Sequence, residues 1–357
     1  MKILYRPDID GLRALSVIAV ILYHANFQFN DQYLFRGGYI GVDIFFVISG
    51  YLITSLITKE LNDTGSFNFV NFYLRRARRI LPVLILIILC FIPFAWFYLL
   101  PNSLTDFSSS IFFSTFFTSN FFFNNIGHDY GDTLSITKPF LHTWSLSVEE
   151  QFYILYPLFF FCCFKFIKNK LLLLLIFISL LSLALAQYGS INFSISNFYL
   201  LPTRIWEIFC GAILVVMKSN ENNNKFSKDI LSYIGLTLVL LSFYFFKDDT
   251  LHPSFKTIIP VFGTMLVIRF SNNNFISNFL SHKSLVFIGL ISYSLYLWHY
   301  PVFSFSEMLG FDPSNINKSI FILISFLLSI ISYSMIEKKF RNKKLICNRF
   351  FFFYLTI

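Results

Sequence analysis

The first hydrophobic segment of the chain contains two residues that could do chemistry, Arg13 and His24. Over their eleven-residue spacing an α-helix turns through about 1100° and rises about 16 Å, so both side chains project from nearly one face. Arginine and histidine are costly in lipid, so such a pair is expected to face protein or a water-filled cavity. The pair therefore forms a candidate site.

The composition predicts the class of protein. Of 357 residues, 56% are hydrophobic and only 13% are charged, and long apolar runs alternate with short polar stretches. This pattern predicts an all-α, polytopic integral membrane bundle. The first segment is not a typical cleaved signal peptide, because Asp8 and Asp10 interrupt its basic leader. We expect it to remain as the first transmembrane helix.

Neither the cysteines nor the net charge indicates a metal or nucleic-acid protein. No CxxC pair and no histidine at ligand spacing accompanies the cysteines, so packing is expected rather than a disulfide or zinc site. The formal charge of +9 is informative mainly through its distribution along the loops. We expect no metal and no nucleic-acid partner. The five cysteines are Cys90, Cys162, Cys163, Cys210 and Cys347.

Loop charges predict the topology. Eleven apolar runs are candidate spans, and the serine-rich run 107–124 is the weakest. If this run does not cross, ten helices leave both termini cytoplasmic, with twenty Lys and Arg residues inside against four outside. If it crosses, the counts become ten inside and fourteen outside. We therefore predict ten helices in a membrane domain at 1–344 and a short apolar tail at 345–357.

This topology places titratable groups from five helices at similar depth in the outer half of the membrane. Such convergence favours a functional site, although polar residues also collect at helix ends near the interface. Asp43 is either a chemical participant or a structural partner that holds one nitrogen of His24. His299 either belongs to the site or anchors an aromatic belt. The residues are His24, Asp43, Glu149, Glu150, Arg204, Glu207 and His299.

A group of arginines precedes the third span on the predicted cytoplasmic side. These arginines either fix the orientation of the protein or clamp phosphate groups. Arginine suits a phosphate clamp because guanidinium groups bind phosphate oxygens in pairs. The four residues are Arg75, Arg76, Arg78 and Arg79.

Several sequence blocks follow the pair Arg13 and His24 in order along the chain. They are GVDIFFVISG at 41–50, the arginine segment at 75–82, HTWSLSVEEQFY at 142–153, YSLYLWHYP at 293–301 and EKKFR at 337–341. Together these blocks resemble the acyltransferase-3 family of bacterial polysaccharide O-acyltransferases. The resemblance extends across essentially the whole chain.

The resemblance implies ten transmembrane helices in the bacterial inner membrane and transfer of an acyl group, usually acetyl, from cytoplasmic acyl-CoA to an envelope glycan. It implies that His24 is catalytic with Arg13 as its motif partner, and that the arginines at 75–79 hold the donor. Glu149 and Glu150 match the acidic block. Many larger relatives add a periplasmic SGNH-type domain. This chain would work alone, be completed by a separate periplasmic protein, or be a truncated form.

The residues leave the mechanism and the class of protein open. His24 would either deprotonate a glycan hydroxyl or carry the acyl group itself. Arg13 or Arg204 would stabilise the oxyanion. The acceptor could be lipopolysaccharide, exopolysaccharide, peptidoglycan or a secreted glycoside. Two alternatives to an enzyme are a proton-coupled transporter that uses the intramembrane charges and an inactive scaffold for envelope assembly.

Overall fold

Helices make up nearly all of the described chain, which confirms the predicted all-α membrane fold. The computed structural model describes residues 5–30, 32–127, 137–217, 225–343 and 345–346. Within these residues, strand structure is limited to a hairpin of β1 (Gln28–Phe29) and β2 (Gln32–Tyr33). The α-helices are α1 (Pro7–Ala25), α2 (Gly41–Thr64), α3 (Phe69–Tyr98), α4 (Pro101–Thr115), α5 (Ser119–Ile126), α6 (Thr143–Phe166), α7 (Leu171–Asn192), α8 (Ser194–Tyr199), α9 (Leu201–Val216), α10 (Lys225–Phe245), α11 (Ile258–Phe270), α12 (Phe275–Leu280), α13 (Lys283–Met308), α14 (Asn315–Ser332) and α15 (Lys338–Arg341). Short 3-10 turns precede α2, α7 and α11, and a π-helical turn, Tyr333–Glu337, joins α14 to α15.

Seven helical segments of the described residues are long and apolar enough to cross a membrane. Three further helices, α1, α6 and α11, coincide with runs that the sequence predicts to cross. The α1 helix, for example, has 19 residues and a length of about 28 Å, close to the hydrocarbon thickness of a bilayer. The chain is therefore a multi-pass membrane protein. The seven segments are Gly38–Thr64, Phe69–Tyr98, Lys168–Asn192, Ser194–Val216, Lys225–Phe245, Lys283–Met308 and Asn315–Arg341.

The serine-rich run at 107–124 is divided between α4 and α5, which are too short to cross. Their 15 and 8 residues give lengths of about 22 Å and 12 Å. The chain turns between them at Phe117, whose φ of 55° is left-handed. The hydroxyls of Ser114 and Ser119 lie 2.7 Å from those of Thr143 and Ser147 in α6. The polar side chains that dilute this run therefore hydrogen-bond within the protein.

The described residues belong to two compact units. The first comprises Met1–Phe67 with Val148–Leu290, and the second comprises Asn68–Ser147 with Ile291–Ile357. The long helices α6 and α13 each contribute residues to both units.

Direct backbone contact between α2 and α9 forms the centre of the first unit. A Cβ atom on Gly50 would lie 1.8 Å from the carbonyl oxygen of Ile208, and one on Gly211 would lie 1.9 Å from that of Val47. Small residues allow this approach, which is the common way for membrane helices to associate. In the most apolar 18-residue stretch of the α2 segment, 67% is buried inside the protein, whereas the corresponding share for α10 is 28%. Asp43 of α2 and both Arg204 and Glu207 of α9 are accordingly buried in the protein.

The second unit is built around α3, α4, α13 and α14. Its apolar core includes Phe91 and Phe305, whose rings stack with centroids 5.1 Å apart. Polar side chains of α13 connect it to neighbouring elements: Tyr293 donates to the carbonyl of Ile80, and Trp298 donates to the hydroxyl of Ser332. The unit thus combines an apolar core with buried hydrogen bonds.

The C-terminal tail lies mostly outside the described residues. Only Leu345 and Ile346 of the predicted tail at 345–357 are described, so the boundary at 344 stays a prediction. Cys347 also lies outside the described residues, and the other four cysteines are free thiols.

The contact between α2 and α9 predicts that Gly50→Leu destabilises the protein. Because the new side chain would overlap the Ile208 backbone, we expect a loss of about 3 kcal/mol or more in the free energy of unfolding. Thermal unfolding of the purified chain in detergent measures this loss. Ala184→Leu adds similar bulk at an exposed position of α7 and should cost less than about 0.5 kcal/mol. Equal stability of the two variants would contradict the helix contact.

Candidate functional site

The helix α1 carries Arg13 and His24 at well-separated levels, as the sequence predicts. The helix is continuous from Pro7 to Ala25, so the two residues lie about 16 Å apart along its axis. Both side chains are half-buried, and His24 occupies the last turn. Arg13 Nη1 lies 3.4 Å from Asp10 Oδ1, one turn earlier. The distance of about 16 Å between Arg13 and His24 is too large for both residues to contact one carbonyl group.

Four buried polar residues form what we call the ionic cluster: Asp43, Arg204, Glu207 and His252. Arg204 Nη1 donates to Asp43 Oδ1 at 2.8 Å and lies 3.3 Å from Glu207 Oε1. The side chains of Asp43 and Glu207 have no exposed area, and that of Arg204 is 1% exposed. The close approach of α2 and α9 places these groups together. One guanidinium thus faces two buried carboxyl groups, in an interior where electrostatic interactions are strong.

His252 completes the ionic cluster from the loop that precedes α11. Its Nε2 lies 2.8 Å from Arg204 Nη1 and 3.3 Å from Asp43 Oδ1, and its Nδ1 lies 3.1 Å from the Thr257 hydroxyl. Burial lowers the pKa of His252 below its ordinary value, while Asp43 opposes this shift. A ring with an unprotonated Nε2 can accept from Arg204, which can only donate, and a ring protonated at Nε2 can donate to Asp43. His252 therefore contacts both members of the ion pair.

A row of aromatic rings connects the ionic cluster to His24. The ring of His24 packs edge-on against Tyr23 with centroids 5.1 Å apart, and Tyr23 packs against Tyr39 at 5.5 Å. Tyr39 packs against His252 at 5.0 Å, and its hydroxyl donates to the carbonyl of Lys247. Edge-to-face ring pairs fix relative orientation as well as burying area. The end of α1 that carries His24 is thus packed, through two tyrosines, onto the cluster.

The acidic pair of α6 belongs to the same unit. The Ser49 hydroxyl donates to Glu149 Oε1 at 2.7 Å, and Tyr153 donates to Glu149 Oε2 at 3.4 Å. Glu150 is 6% exposed. The first unit therefore holds the titratable residues predicted on four of the five converging helices. The fifth, His299, belongs to the second unit.

The partner of Asp43 is the feature that the sequence did not reveal. The expected alternative was an Asp43 carboxylate that holds His24, whereas the imidazole beside Asp43 is that of His252. A histidine in a loop between two predicted spans looks like an ordinary polar residue. Its position on the same predicted side as Asp43 and Arg204 was the only available signal.

The arginines of α3 lie in different environments within the second unit. Arg78 is 1% exposed, and its Nη1 donates to the carbonyls of Phe340 at 3.0 Å and Ile346 at 2.7 Å. Arg75 is exposed and Arg79 is half-buried. The guanidinium of Arg76 lies over the ring of Phe72, 5.9 Å from its centroid. Arg78 therefore binds the C-terminal segment, whereas the side chain of Arg75 is exposed.

His299 lies inside the second unit rather than in a lipid-facing aromatic belt. It is fully buried, and its Nδ1 lies 2.6 Å from the carbonyl of Tyr296, to which it donates. Its ring lies 5.7 Å from that of His142, which is also fully buried. Tyr296 donates to the His142 carbonyl and shares a hydrogen bond with Ser145. The blocks at 142–153 and 293–301 thus meet through buried polar contacts.

Comparison with known proteins identifies the family. The model of an acyltransferase domain, acyltransferase-3, matches residues 6–336, which include both blocks on α1 and α2 and the arginines of α3. The chain belongs to the acyltransferase-3 family. A peptidoglycan O-acetyltransferase, OatA of Listeria monocytogenes, is 33% identical over 95% of the chain. The O-acetyltransferase OatA of Staphylococcus aureus is also 33% identical over 95% of it. A further, putative O-acetyltransferase of that species is 34% identical over 96%.

This acyltransferase-3 chain spans a little more than half the length of these relatives. It covers 56% of the Listeria protein and 58% of each staphylococcal protein. No solved structure matches the chain.

The buried ion pair predicts a large loss of stability in Asp43→Ala. Removing this carboxylate leaves the buried Arg204 without its ion-pair partner, so we expect a loss of about 3–5 kcal/mol in the free energy of unfolding. Asp248→Ala is the matched control, because Asp248 pairs with Arg36 at the surface with 44% of its side chain exposed. That loss should stay below about 1 kcal/mol. Denaturant unfolding in detergent that gives equal losses would exclude a stabilising role for the pair.

Proposed function

We propose that this chain transfers an acetyl group from cytoplasmic acyl-CoA to a hydroxyl of a cell-envelope or secreted glycan. The observation that carries this proposal is the acyltransferase match over residues 6–336, which includes the blocks on α1 and α2. The curated relatives named as O-acetyltransferases support acetyl as the group. We place the protein in the bacterial inner membrane with both termini cytoplasmic, in accordance with its loop charges.

On the donor side, we assign acyl-CoA to the arginines of α3. Arg75 is accessible and Arg79 is half-buried, so both can meet the phosphates of the donor. Bidentate guanidinium contacts suit these phosphates. Arg78 is excluded from this role, because its guanidinium already binds two backbone carbonyls. Arg76 lies against Phe72 and supports the others through packing.

We assign His24 as the catalytic residue of acetyl transfer, acting either as a base or as a carrier of the acetyl group. Acting as a base, its imidazole takes the proton of the glycan hydroxyl while that oxygen attacks the thioester carbonyl. The carbon–sulfur bond then breaks, and the CoA sulfur leaves with the proton. Acting as a carrier, a ring nitrogen attacks the thioester carbonyl, the carbon–sulfur bond breaks, and CoA leaves as the thiol with the proton that the ring releases. The glycan oxygen then attacks the acetyl-imidazole, and the imidazole that is set free takes the hydroxyl proton. Half-burial in the last turn of α1 suits either route, since the ring is held and yet reachable.

The remaining site residues support His24 in different ways. Arg13 lies about 16 Å from it along the helix, so we assign it to the donor path rather than to an oxyanion at His24. Arg204 is bound to Asp43 within the ionic cluster, and we assign it to holding the cluster against the end of α1 that carries His24. Glu149 and Glu150 add negative charge to the same unit and favour a protonated group nearby.

The acceptor that we favour is a hydroxyl of peptidoglycan. One relative is named as a peptidoglycan O-acetyltransferase, and it matches 95% of this chain. Lipopolysaccharide and exopolysaccharide carry the same hydroxyl chemistry and are competing acceptors. Because the relatives are longer, we propose that acceptor delivery also uses a separate or additional periplasmic domain. Neither a transporter nor a scaffold is favoured by a specific observation.

Replacement of His24 tests the assignment of the chemistry. We expect His24→Ala to reduce acetyl transfer at least 100-fold, because neither the base nor the carrier route survives. Release of CoA from acetyl-CoA by the purified chain, together with mass spectrometry of a muropeptide acceptor, gives the rate. His282→Ala is the control, since His282 is exposed and outside the site. Full activity of correctly inserted His24→Ala would remove this residue from the chemistry.

The arginines of α3 should separate into binding and structural residues. We expect Arg75→Gln to weaken acetyl-CoA binding about tenfold, which corresponds to about 1.4 kcal/mol, with unchanged stability. Arg78→Gln should instead lower the unfolding temperature, because it frees the carbonyls of the C-terminal segment. Isothermal titration and thermal unfolding measure the two effects. Lys339→Gln, an exposed cation of the same unit, should change neither. A donor affinity lost in Arg78→Gln alone would reverse the assignment.

A further inference from the structure

The hairpin of β1 and β2 follows directly after the end of α1 that carries His24. The helix ends at Ala25, and the backbone amide of Leu34 donates to the carbonyl of Phe27 at 2.8 Å, which closes the base of the hairpin. In the predicted topology this end of α1 lies on the outer side of the membrane. Phe29 follows His24 by five residues, so their Cα atoms are at most about 18 Å apart. The hairpin is therefore close to the proposed site of acetyl transfer.

The pairing of the two strands places one aromatic ring beside one amide on each face of the hairpin. Phe29 lies opposite Gln32, and Gln28 lies opposite Tyr33. Residues directly opposite in an antiparallel pair project to the same face, with Cβ atoms about 5 Å apart. Consecutive residues project to opposite faces, so the two pairs occupy different faces. Each face thus presents an apolar ring and a hydrogen-bonding amide side by side.

The face that carries Phe29 and Gln32 is open to a ligand. Phe29 is 67% exposed, against 46% for Tyr33 on the other face, and Gln32 is exposed as well. The turn begins at Asn30, whose φ of 47° is left-handed, as is typical of tight hairpin turns. A ring held in water at the tip of a hairpin gains free energy from any partner that covers its apolar face.

The segment after the hairpin is fixed to the first unit. Arg36 donates to Asp248 Oδ2 from Nε at 2.9 Å and from Nη2 at 2.8 Å. A Cβ atom on Gly37 would lie 2.5 Å from the carbonyl oxygen of Ser242, so the backbone here packs directly on α10. An element that is already positioned loses less freedom when a ligand binds. The hairpin is thus held at its base while its tip is exposed.

The composition of this segment suits a sugar better than a lipid head group. Residues 26–35 contain no lysine or arginine, whereas segments at the head-group level commonly combine aromatic residues with such cations. A pyranose ring carries C–H groups on its face and hydroxyls at its rim. The C–H groups suit the negatively polarised face of an aromatic ring. The hydroxyls suit an amide, which both donates and accepts hydrogen bonds.

We propose that the Phe29 face of the hairpin binds a sugar ring of the peptidoglycan acceptor. The ring of Phe29 packs against the C–H face of the sugar, and the amide of Gln32 hydrogen-bonds with its rim. This inference rests on the proposed transfer to peptidoglycan and names the element that recognises the acceptor. Both are binding residues, and His24 keeps the catalytic role. The competing occupant is the bilayer surface, which would cover the same ring.

Glycan binding to the full chain in nanodiscs tests this proposal. The probe is chitotetraose, a soluble β-1,4-linked tetramer of N-acetylglucosamine, titrated without acetyl-CoA. We expect Phe29→Ala to weaken binding about tenfold, because the stacking face is lost. Gln32→Ala should weaken it about fivefold through the lost hydrogen bonds. Phe29→Trp keeps an aromatic face and should stay within about twofold of the unmodified protein.

Phe193→Ala is the matched control for these variants. It removes a ring that is 61% exposed at the predicted outer end of α7, away from the hairpin, and should leave the affinity unchanged. If the unmodified protein binds no chitotetraose, or if Phe29→Ala binds it equally well, the proposal is wrong.

Fluorescence of Phe29→Trp distinguishes the glycan from the bilayer as the occupant of this face. We expect no additional quenching of the introduced indole by brominated phosphatidylcholine in the nanodisc. Strong quenching would place the ring in the bilayer and overturn the proposal.

Kinetics with a muropeptide acceptor separate this inference from the proposed function. Phe29→Ala should raise KM for the muropeptide about tenfold and leave kcat and KM for acetyl-CoA unchanged. Glycan binding that depends on Phe29 in a chain without acetyl transfer would contradict the proposed function alone. Acetyl transfer with an unchanged muropeptide KM in Phe29→Ala would contradict the role of the hairpin alone.

Discussion

The buried contact between Arg204 and Asp43 is the interaction on which the site of the first unit depends. Two charges in a low-dielectric interior are stable only when they are close and well hydrogen-bonded. Their 2.8 Å separation meets this requirement because glycines at 50 and 211 let the backbones of α2 and α9 touch. The ion pair and the helix contact therefore require each other.

The position of His24 follows from this arrangement. His252 joins the ionic cluster from a loop, and the rings of Tyr39 and Tyr23 connect it to the end of α1. A side chain in the last turn of a helix is otherwise subject to fraying. Packing through the two tyrosines onto the buried cluster holds the half-buried ring of His24 in place. The α3 arginines of the second unit differ from one another. Arg78 is buried and binds backbone carbonyls of the C-terminal segment, whereas Arg75 is exposed.

The helices were predictable from the sequence because the bilayer imposes their length and composition. The break of the run at 107–124 into α4 and α5 also agrees with the charge count, which argued against its crossing. The pairing of intramembrane residues was not predictable. Hydropathy places Asp43 and Arg204 at similar depth, but it does not say which faces of α2 and α9 meet. His252 and the burial of Arg78 depend on tertiary contacts to a loop and to a C-terminal segment, which no local pattern reveals.

The effect of His252→Gln on acetyl transfer tests most directly whether the ionic cluster organises the reacting end of α1. The amide can still accept from Arg204, but it cannot reproduce the ring contact with Tyr39. We predict that kcat falls about tenfold at an equal amount of folded protein, which corresponds to about 1.4 kcal/mol of the barrier, whereas KM for acetyl-CoA is unchanged. An unchanged kcat would show that the cluster has only a structural role and does not organise this end of α1.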